Sequence, residues 1–147
     1  CQDNLTYDIW KSLGLKEVSP RQLSPLVLAY IGDSIFDLVV KTMIVTKGNT
    51  QVNKMNRVAS SIVKAESQSK MIGYLEDKLT EEEESVYKRG RNAKSYTSAK
   101  NASISDYRRA TGFEALMGYL YMSGRYERMC ELIKDALDYL ESERNSN

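Results

Sequence analysis

The sequence contains no histidine, and it spends only two prolines and two cysteines over 147 residues. Without histidine there is no Ser-His-Asp or Cys-His pair, no histidine-based phosphodiester cleavage and none of the usual zinc sites. Any catalysis must then run on carboxylates, lysine or a hard metal ion. Cys1 and Cys130 do not make a disulfide framework, which fits a reducing cytoplasm. Cys130 falls at helical spacing with Tyr126, Met129, Ile133 and Leu137, so a core thiol is expected. Both prolines, Pro20 and Pro25, lie near the start; their absence afterwards, with frequent 3.6-residue periodicity, argues for an all-α fold. No apolar run reaches the ~18 charge-free residues of a membrane span, because Asp33, Asp37 and Lys41 interrupt the longest one. A secretory apolar core is absent too, and the start at Cys1 in place of Met reads as trimmed. Neither sign of charge dominates: 21 basic and 20 acidic residues leave a net charge of +1. Binding to a polyanion must therefore come from local segregation of charge. What remains is ordinary for one globular domain, with 41% apolar and 28% charged residues.

The longest apolar run centres on Tyr30-Ile31-Gly32-Asp33-Ser34-Ile35-Phe36-Asp37. A helix is expected from Ser24 as N-cap and Pro25 as first residue to Gly48 as a left-handed stop. Its polar stripe is narrow: Asp33, Asp37 and Lys41, spaced one turn apart. Ala29, Tyr30 and Phe36 are three of the four nearest helical neighbours of Asp33. A carboxylate so enclosed costs free energy unless a cation, a metal or a donor compensates it.

Elsewhere the pattern is of helices and their punctuation. Thr6 to Leu13 reads as a short helix with Ile9, Trp10 and Leu13 on one side, ended by Gly14. A second stretch, capped by Asn49 or Thr50, reaches about Lys78 with a break near Ser60-Ser61. Thr80 and Glu83 form a capping box, and Glu81 to Glu84 suit a helix N-terminus as a solvated cap without a metal. That helix should end near Ala93. From Ser85 to Ser105 there are five basic residues (Lys88, Arg89, Arg91, Lys94 and Lys100) and no acidic one. Asn92, Ser95, Tyr96, Thr97, Ser98, Asn101 and Ser103 add groups that hydrogen-bond phosphate and ribose. A loop is expected from Lys94 to Ser103; the stretch is either a solvated linker or a phosphate-contacting edge. Ser103 or Ser105 then caps a helix running to Met122 and closed by Gly124, and an amphipathic helix follows from Arg125 to Ser142.

Glu114 sits on the Ser103–Met122 helix among Ala110, Thr111, Met117 and Gly118, a second acid on a small, apolar face. If the two acid-bearing helices cross at Gly32 and Gly112, Asp33 and Glu114 meet. Such a pair repels unless a cation lies between, and oxygen-ligated Mg²⁺ is the natural candidate. Separate salt bridges with the many lysines and arginines are the other reading of the same two residues.

Tyr30-Ile31-Gly32-Asp33-Ser34-Ile35-Phe36 resembles the Phe-Leu-Gly-Asp-Ala/Ser-Val-Leu core of the ribonuclease III catalytic domain. Phe113-Glu114-Ala115-Leu116-Met117-Gly118, with Leu120-Tyr121 and Gly124, is similar to that family's second motif, Phe-Glu-Ala-Leu-Ile-Gly-Ala-x-Tyr. Leu28 to Asp33, Lys88-Arg89-Gly90-Arg91-Asn92-Ala93-Lys94 and the short length are most similar to Mini-ribonuclease III, the bacterial branch with the catalytic domain alone. The resemblance spans about residues 23–142. It implies a peripheral segment (1–20), a catalytic domain (21–143) and a tail (144–147), with no double-stranded RNA-binding domain following. It also implies an all-helical homodimer, with a groove along its interface, that cuts double-stranded RNA with Mg²⁺. The expected substrate is a stem in precursor 23S ribosomal RNA, in the cytoplasm. Asp33 and Glu114 match the family's metal-binding, catalytic carboxylates. Asp37 is either an outer-shell contact or a surface charge paired with Lys41. Affinity for duplex RNA would come from Arg91, Asn92 and Lys94, with Lys88 and Arg89 further out. Full-length ribonuclease III carries a glutamate and an aspartate where this chain has Ala29 and Thr111. That departure admits a second reading, a catalytically silent helical protein binding double-stranded RNA or the ribosome. A third is a helical dimer serving protein partners.

Overall fold

The structure, a computed structural model, describes residues 4–94 and 103–146. Cys1 and most of the expected loop, including Ser95 to Ser98, Lys100 and Asn101, lie outside the described residues. Among the described residues there are seven α-helices and no strand: α1 (Leu5–Ser12), α2 (Pro25–Lys47), α3 (Val52–Val63), α4 (Ala65–Leu75), α5 (Glu81–Asn92), α6 (Ile104–Met122) and α7 (Tyr126–Asn145).

The innermost helix is α6. From Ala110 to Tyr121 every residue except Glu114 is buried, and α2, α4, α5 and α7 pack around it. Ser103 caps it by accepting from the Asp106 N–H at 3.0 Å, and Gly124 ends the following turn at φ 71°. Helix α2 starts as expected: Ser24 Oγ accepts from the Val27 N–H, and Pro25 is the first helical residue. Its end differs. Gly48 lies at φ 159° and ψ 155°, an almost straight exit in place of the left-handed turn expected.

The break between α3 and α4 falls at Lys64, which is extended (ψ 153°), and not at Ser60-Ser61. The serines do not break the helix. Ser61 Oγ donates back to Val58 O, while Ser67 Oγ and Gln68 Nε2 donate to Ser61 O and Val63 O, two carbonyls that the helix end leaves unpaired. At the other end α3 begins after Gln51, with no side-chain cap from Asn49 or Thr50. Helix α1 docks by polar contact and not by the expected apolar side. Ile9 and Leu13 are exposed, whereas the buried residue is Thr6, whose hydroxyl donates to Tyr121 O at 2.9 Å.

The capping box of α5 is present in full, but it is not a solvated cap. Glu83 is 2% exposed and receives both Nε and Nη2 of Arg128 at 2.9 Å, plus the Thr80 N–H at 2.9 Å. This fork-to-fork pairing holds its carboxyl below the usual range. Glu82 meanwhile accepts from the Tyr119 hydroxyl and lies near Arg21 and Arg125. Helix α7 carries a further correction. Its inward face is Met129, Leu132, Ile133, Ala136 and Leu140, and Cys130, one residue off that face, is exposed.

Helices α2 and α6 touch backbone to backbone. A Cβ on Gly32 would stand 1.7 Å from the Glu114 carbonyl oxygen, and one on Gly118 would stand 2.0 Å from that of Leu28. The crossing thus uses Gly118 and not the expected Gly112, which faces Tyr87 on α5 instead. Phe36 and Phe113, both fully buried, meet edge-to-face beside it, with ring centroids 5.1 Å apart. Because the atoms met are main chain, Gly32→Ala and Gly118→Ala should each cost about 3 kcal/mol or more. Ser34→Ala, on the exposed side of the same helix, should stay within about 0.5 kcal/mol. Urea titrations of the three variants check this.

Candidate active site

The close crossing brings the two odd acids together. Asp33 projects from α2 beside Gly32, Glu114 projects from α6 at the residue whose carbonyl Gly32 meets, and the two carboxyl groups lie close enough to interact. Their surroundings differ from expectation in one respect. Asp33 is exposed, since Tyr30 points into solvent at 81% exposure and encloses nothing. Glu114 is the desolvated member. Burial first, and then the neighbouring Asp33, raise its carboxyl from the ordinary value of 4.5 to about 8. Neither acid has a salt-bridge partner among the described residues, where the separate-salt-bridge reading would need one for each.

Asp37, one turn along α2, pairs with Lys41 at 3.0 Å. That pairing is the one expected of a surface charge.

The expected basic edge is the last turn of α5. Gly90 lets α5 approach α6 closely: its missing Cβ would lie 2.7 Å from Ala115 Cβ and 3.3 Å from Thr111 O, on either side of Glu114 in the chain. The basic cluster is therefore anchored within a turn of the acids. Lys88, Arg89, Asn92 and Lys94 are exposed. Arg91 is half-buried over the Tyr87 ring, 5.6 Å from its centroid, and donates to Asn92 Oδ1 at 3.1 Å. Lys88 is engaged with Glu84 at 2.5 Å.

Comparison with known proteins decides the relationship. Residues 26–125 match the ribonuclease III domain. A Mini-ribonuclease 3 of Clostridium tetani is 50% identical over 127 residues, covering 85% of this chain and 84% of that protein. Another from Brevibacillus brevis is 46% identical, covering 84% of this chain and 92% of the relative. The chain belongs to the ribonuclease III family, in its Mini-ribonuclease III branch. A crystal structure of a Fusobacterium nucleatum protein shares the fold at a TM-score of 0.73 and 26% identity, over 80% of this chain and 94% of that one.

Within that family the two missing acids are accounted for by packing. Ala29 is buried, and Thr111, also buried, donates its hydroxyl to the Tyr107 carbonyl at 2.9 Å. The candidate site brings together two carboxylates, and among the described residues no three acidic, cysteine or histidine side chains cluster in a metal-binding arrangement. A third polar group, invisible to the sequence reading, completes it. Gln68 of α4, 2% exposed, places Nε2 at 3.4 Å from Glu114 Oε2. Nothing in sequence singles out this glutamine, because it lies on a face otherwise read as a plain amphipathic helix.

The raised carboxyl of Glu114 has a thermodynamic consequence. Between its unfolded value near 4.5 and about 8 the folded protein holds a proton that the unfolded chain has lost. Stability therefore falls as pH rises through that window. In metal-free protein the thermal midpoint should drop from about pH 5 to about pH 8, and Glu114→Gln should flatten that slope.

Proposed function

We propose that this chain is a Mg²⁺-dependent endoribonuclease that cuts both strands of duplex RNA in precursor 23S ribosomal RNA, as a cytoplasmic homodimer. Endoribonuclease activity on double-stranded RNA follows from membership of the family at up to 50% identity over most of the chain. The observation that carries the mechanism is the approach of Asp33 to Glu114, two neighbouring acids without a salt-bridge partner among the described residues.

The residues suit a hard cation. Both donors are carboxylate oxygens, their mutual repulsion is relieved by a divalent charge, and Gln68 Oε1 nearby is a buried acceptor without a partner. Asp33 and Glu114 would hold Mg²⁺, which when bound supplies an activated water and neutralises charge on the phosphate. The chain's own work is positional. Burial of Glu114 keeps one ligand fixed, and exposure of Asp33 leaves the site open on the side from which a phosphodiester arrives.

Arg91, Asn92 and Lys94, with Lys88 and Arg89 further out, read phosphate and 2′-hydroxyl groups and not base edges. Engagement of Lys88 with Glu84 makes it a weaker contributor. The dimer would form on the outward stripe of α2. Val27, Tyr30, Leu38 and Val45 are 48%, 81%, 52% and 62% exposed at helical spacing. The stripe continues into a shallow apolar depression lined by Leu5, Met43, Met129 and Cys130. An apolar stripe of this size marks an interaction surface. It borders the line of Asp33, Asp37 and Lys41, so a second copy would bring two acid pairs to one groove. The catalytic unit of this reading is residues 21–143.

Cleavage of a labelled RNA duplex tests the proposal. Wild type should cut with Mg²⁺ and stop with EDTA, and Asp33→Asn and Glu114→Gln should each lose at least about 100-fold. Undiminished cutting by either variant removes that residue from the centre. A wild type that binds duplex but cuts with no divalent ion is the silent RNA-binding protein of the second reading.

Two further outcomes are expected. Duplex affinity should fall by about 1,000-fold or more between about 50 and 200 mM salt, with Arg91→Glu or Lys94→Glu flattening the slope. Tyr30→Asp should convert a dimer to a monomer in light scattering.

A further inference from the structure

Gln68 is the only residue among those described with a buried side-chain polar atom lacking a hydrogen-bond partner. Its orientation is fixed by chemistry. Val63 O, 2.7 Å away, is an acceptor only, so the amide nitrogen must face it, and the same nitrogen reaches toward Glu114 Oε2 at 3.4 Å. The amide oxygen is therefore the atom left over. It shares one carbon with a nitrogen already beside the acid pair.

A buried acceptor without a donor is costly, and the neighbours on α4, Met71, Ile72 and Leu75, show that this layer of the protein accepts apolar side chains. The two groups that the amide nitrogen meets, the Val63 carbonyl and the Glu114 carboxyl, are acceptors once Glu114 is ionised and give Oε1 no donor. The missing donor must come with whatever binds at the acid pair. Hydrated Mg²⁺ or Mn²⁺ keeps several waters whose protons point outward and are strongly polarised.

We propose that Gln68 is a positioning residue of the metal centre: its nitrogen steadies Glu114, and its oxygen accepts a hydrogen bond from a water carried by the divalent cation. The assignment rests on the metal-dependent nuclease reading. It adds a third, uncharged member from α4 to a centre otherwise built by α2 and α6. It also explains how a site with two carboxylates holds its cation without the two acids replaced by Ala29 and Thr111. Outer-shell partners of this kind orient the ligands and hold the hydrated ion in one place.

The test uses Gln68→Met, equal in length and apolar, in the full chain. Mn²⁺ binding without RNA, read by electron paramagnetic resonance, should weaken by about 10- to 100-fold. The rise in thermal midpoint on adding Mg²⁺ should shrink with it, whatever the metal-free variant loses through the orphaned Val63 carbonyl. With duplex RNA, kcat should fall at fixed Mg²⁺ and recover as Mg²⁺ is raised, with KM for RNA unchanged; a purely structural role would not give metal rescue. Should the variant fold poorly, the side-chain amide resonance of Gln68 in wild type serves instead, and it should shift as Mg²⁺ is titrated. Mn²⁺ affinity equal in variant and wild type, or an amide resonance that ignores Mg²⁺, overturns the assignment. If wild type binds and cleaves while Gln68→Met matches it, only this inference falls. If wild type binds no divalent cation and leaves duplex uncut, the nuclease reading falls with it.

Discussion

The approach of α2 to α6, main chain against main chain at Gly32 and Gly118, determines most of what lies around it. Neither position has room for a single carbon. Close approach of two helices normally gains dispersion energy from interdigitating side chains. Here that gain is moved to the flanks, to the Phe36–Phe113 pair and the buried leucines, and the crossing itself is reserved for placing two functional side chains. A wider crossing would pack as well. It would not bring Asp33 and Glu114 into contact.

Two acids withdrawn from solvent, Glu83 fully and Glu114 in part, receive opposite treatment, and the contrast shows which of them is structural. Glu83 is buried like a core residue, yet Arg128, the Thr80 amide and the capping geometry satisfy its oxygens. A buried carboxylate so matched is stable, and its cost appears only when a partner is removed. Glu114 has a second acid and a glutamine at 3.4 Å. Among the described residues no cationic side chain neutralises it, and an acid so placed costs stability. The unmatched acid is the one available to a ligand that brings its own charge.

Much of this was legible in the residues, and the failures share a cause. Ser24, Pro25, Thr80 and Ser103 mark helix starts through local hydrogen bonding, which depends on a few neighbouring residues, and those starts are where the structure has them. Asp33 and Glu114 stood out as acids on apolar faces, and they do meet. What could not be read was anything decided by the third dimension. Gly112 and Gly118 look equivalent in a buried helix, and only the height of the crossing says which faces α2 and which faces Tyr87. Asp33 looked enclosed because Tyr30 was counted as core, whereas Tyr30 faces outward. Cys130 and Glu83 were misjudged the same way, each by a rotation of about one residue around its helix. Gln68 carried no signal at all, since an uncharged side chain in an amphipathic stretch disturbs neither composition nor period.

In a dimer built on α2, the outward position of Tyr30 would join catalysis to assembly. Helix α2 has three kinds of surface: a buried face against α6, the acid line of Asp33 and Asp37, and an exposed apolar stripe through Val27, Leu38 and Val45. Water is a poor environment for the last of these, and a second copy of the same chain presents the same stripe. A two-fold contact there would necessarily set the neighbouring acid lines side by side, facing one channel. Two-fold symmetry is also the approximate symmetry of the backbone of a nucleic-acid duplex. A dimer built on α2 would therefore offer each strand its own acid pair, and the basic ends of the two α5 helices would flank the channel. The requirement to cut two strands and the need to cover an apolar helix face would then be met by a single contact.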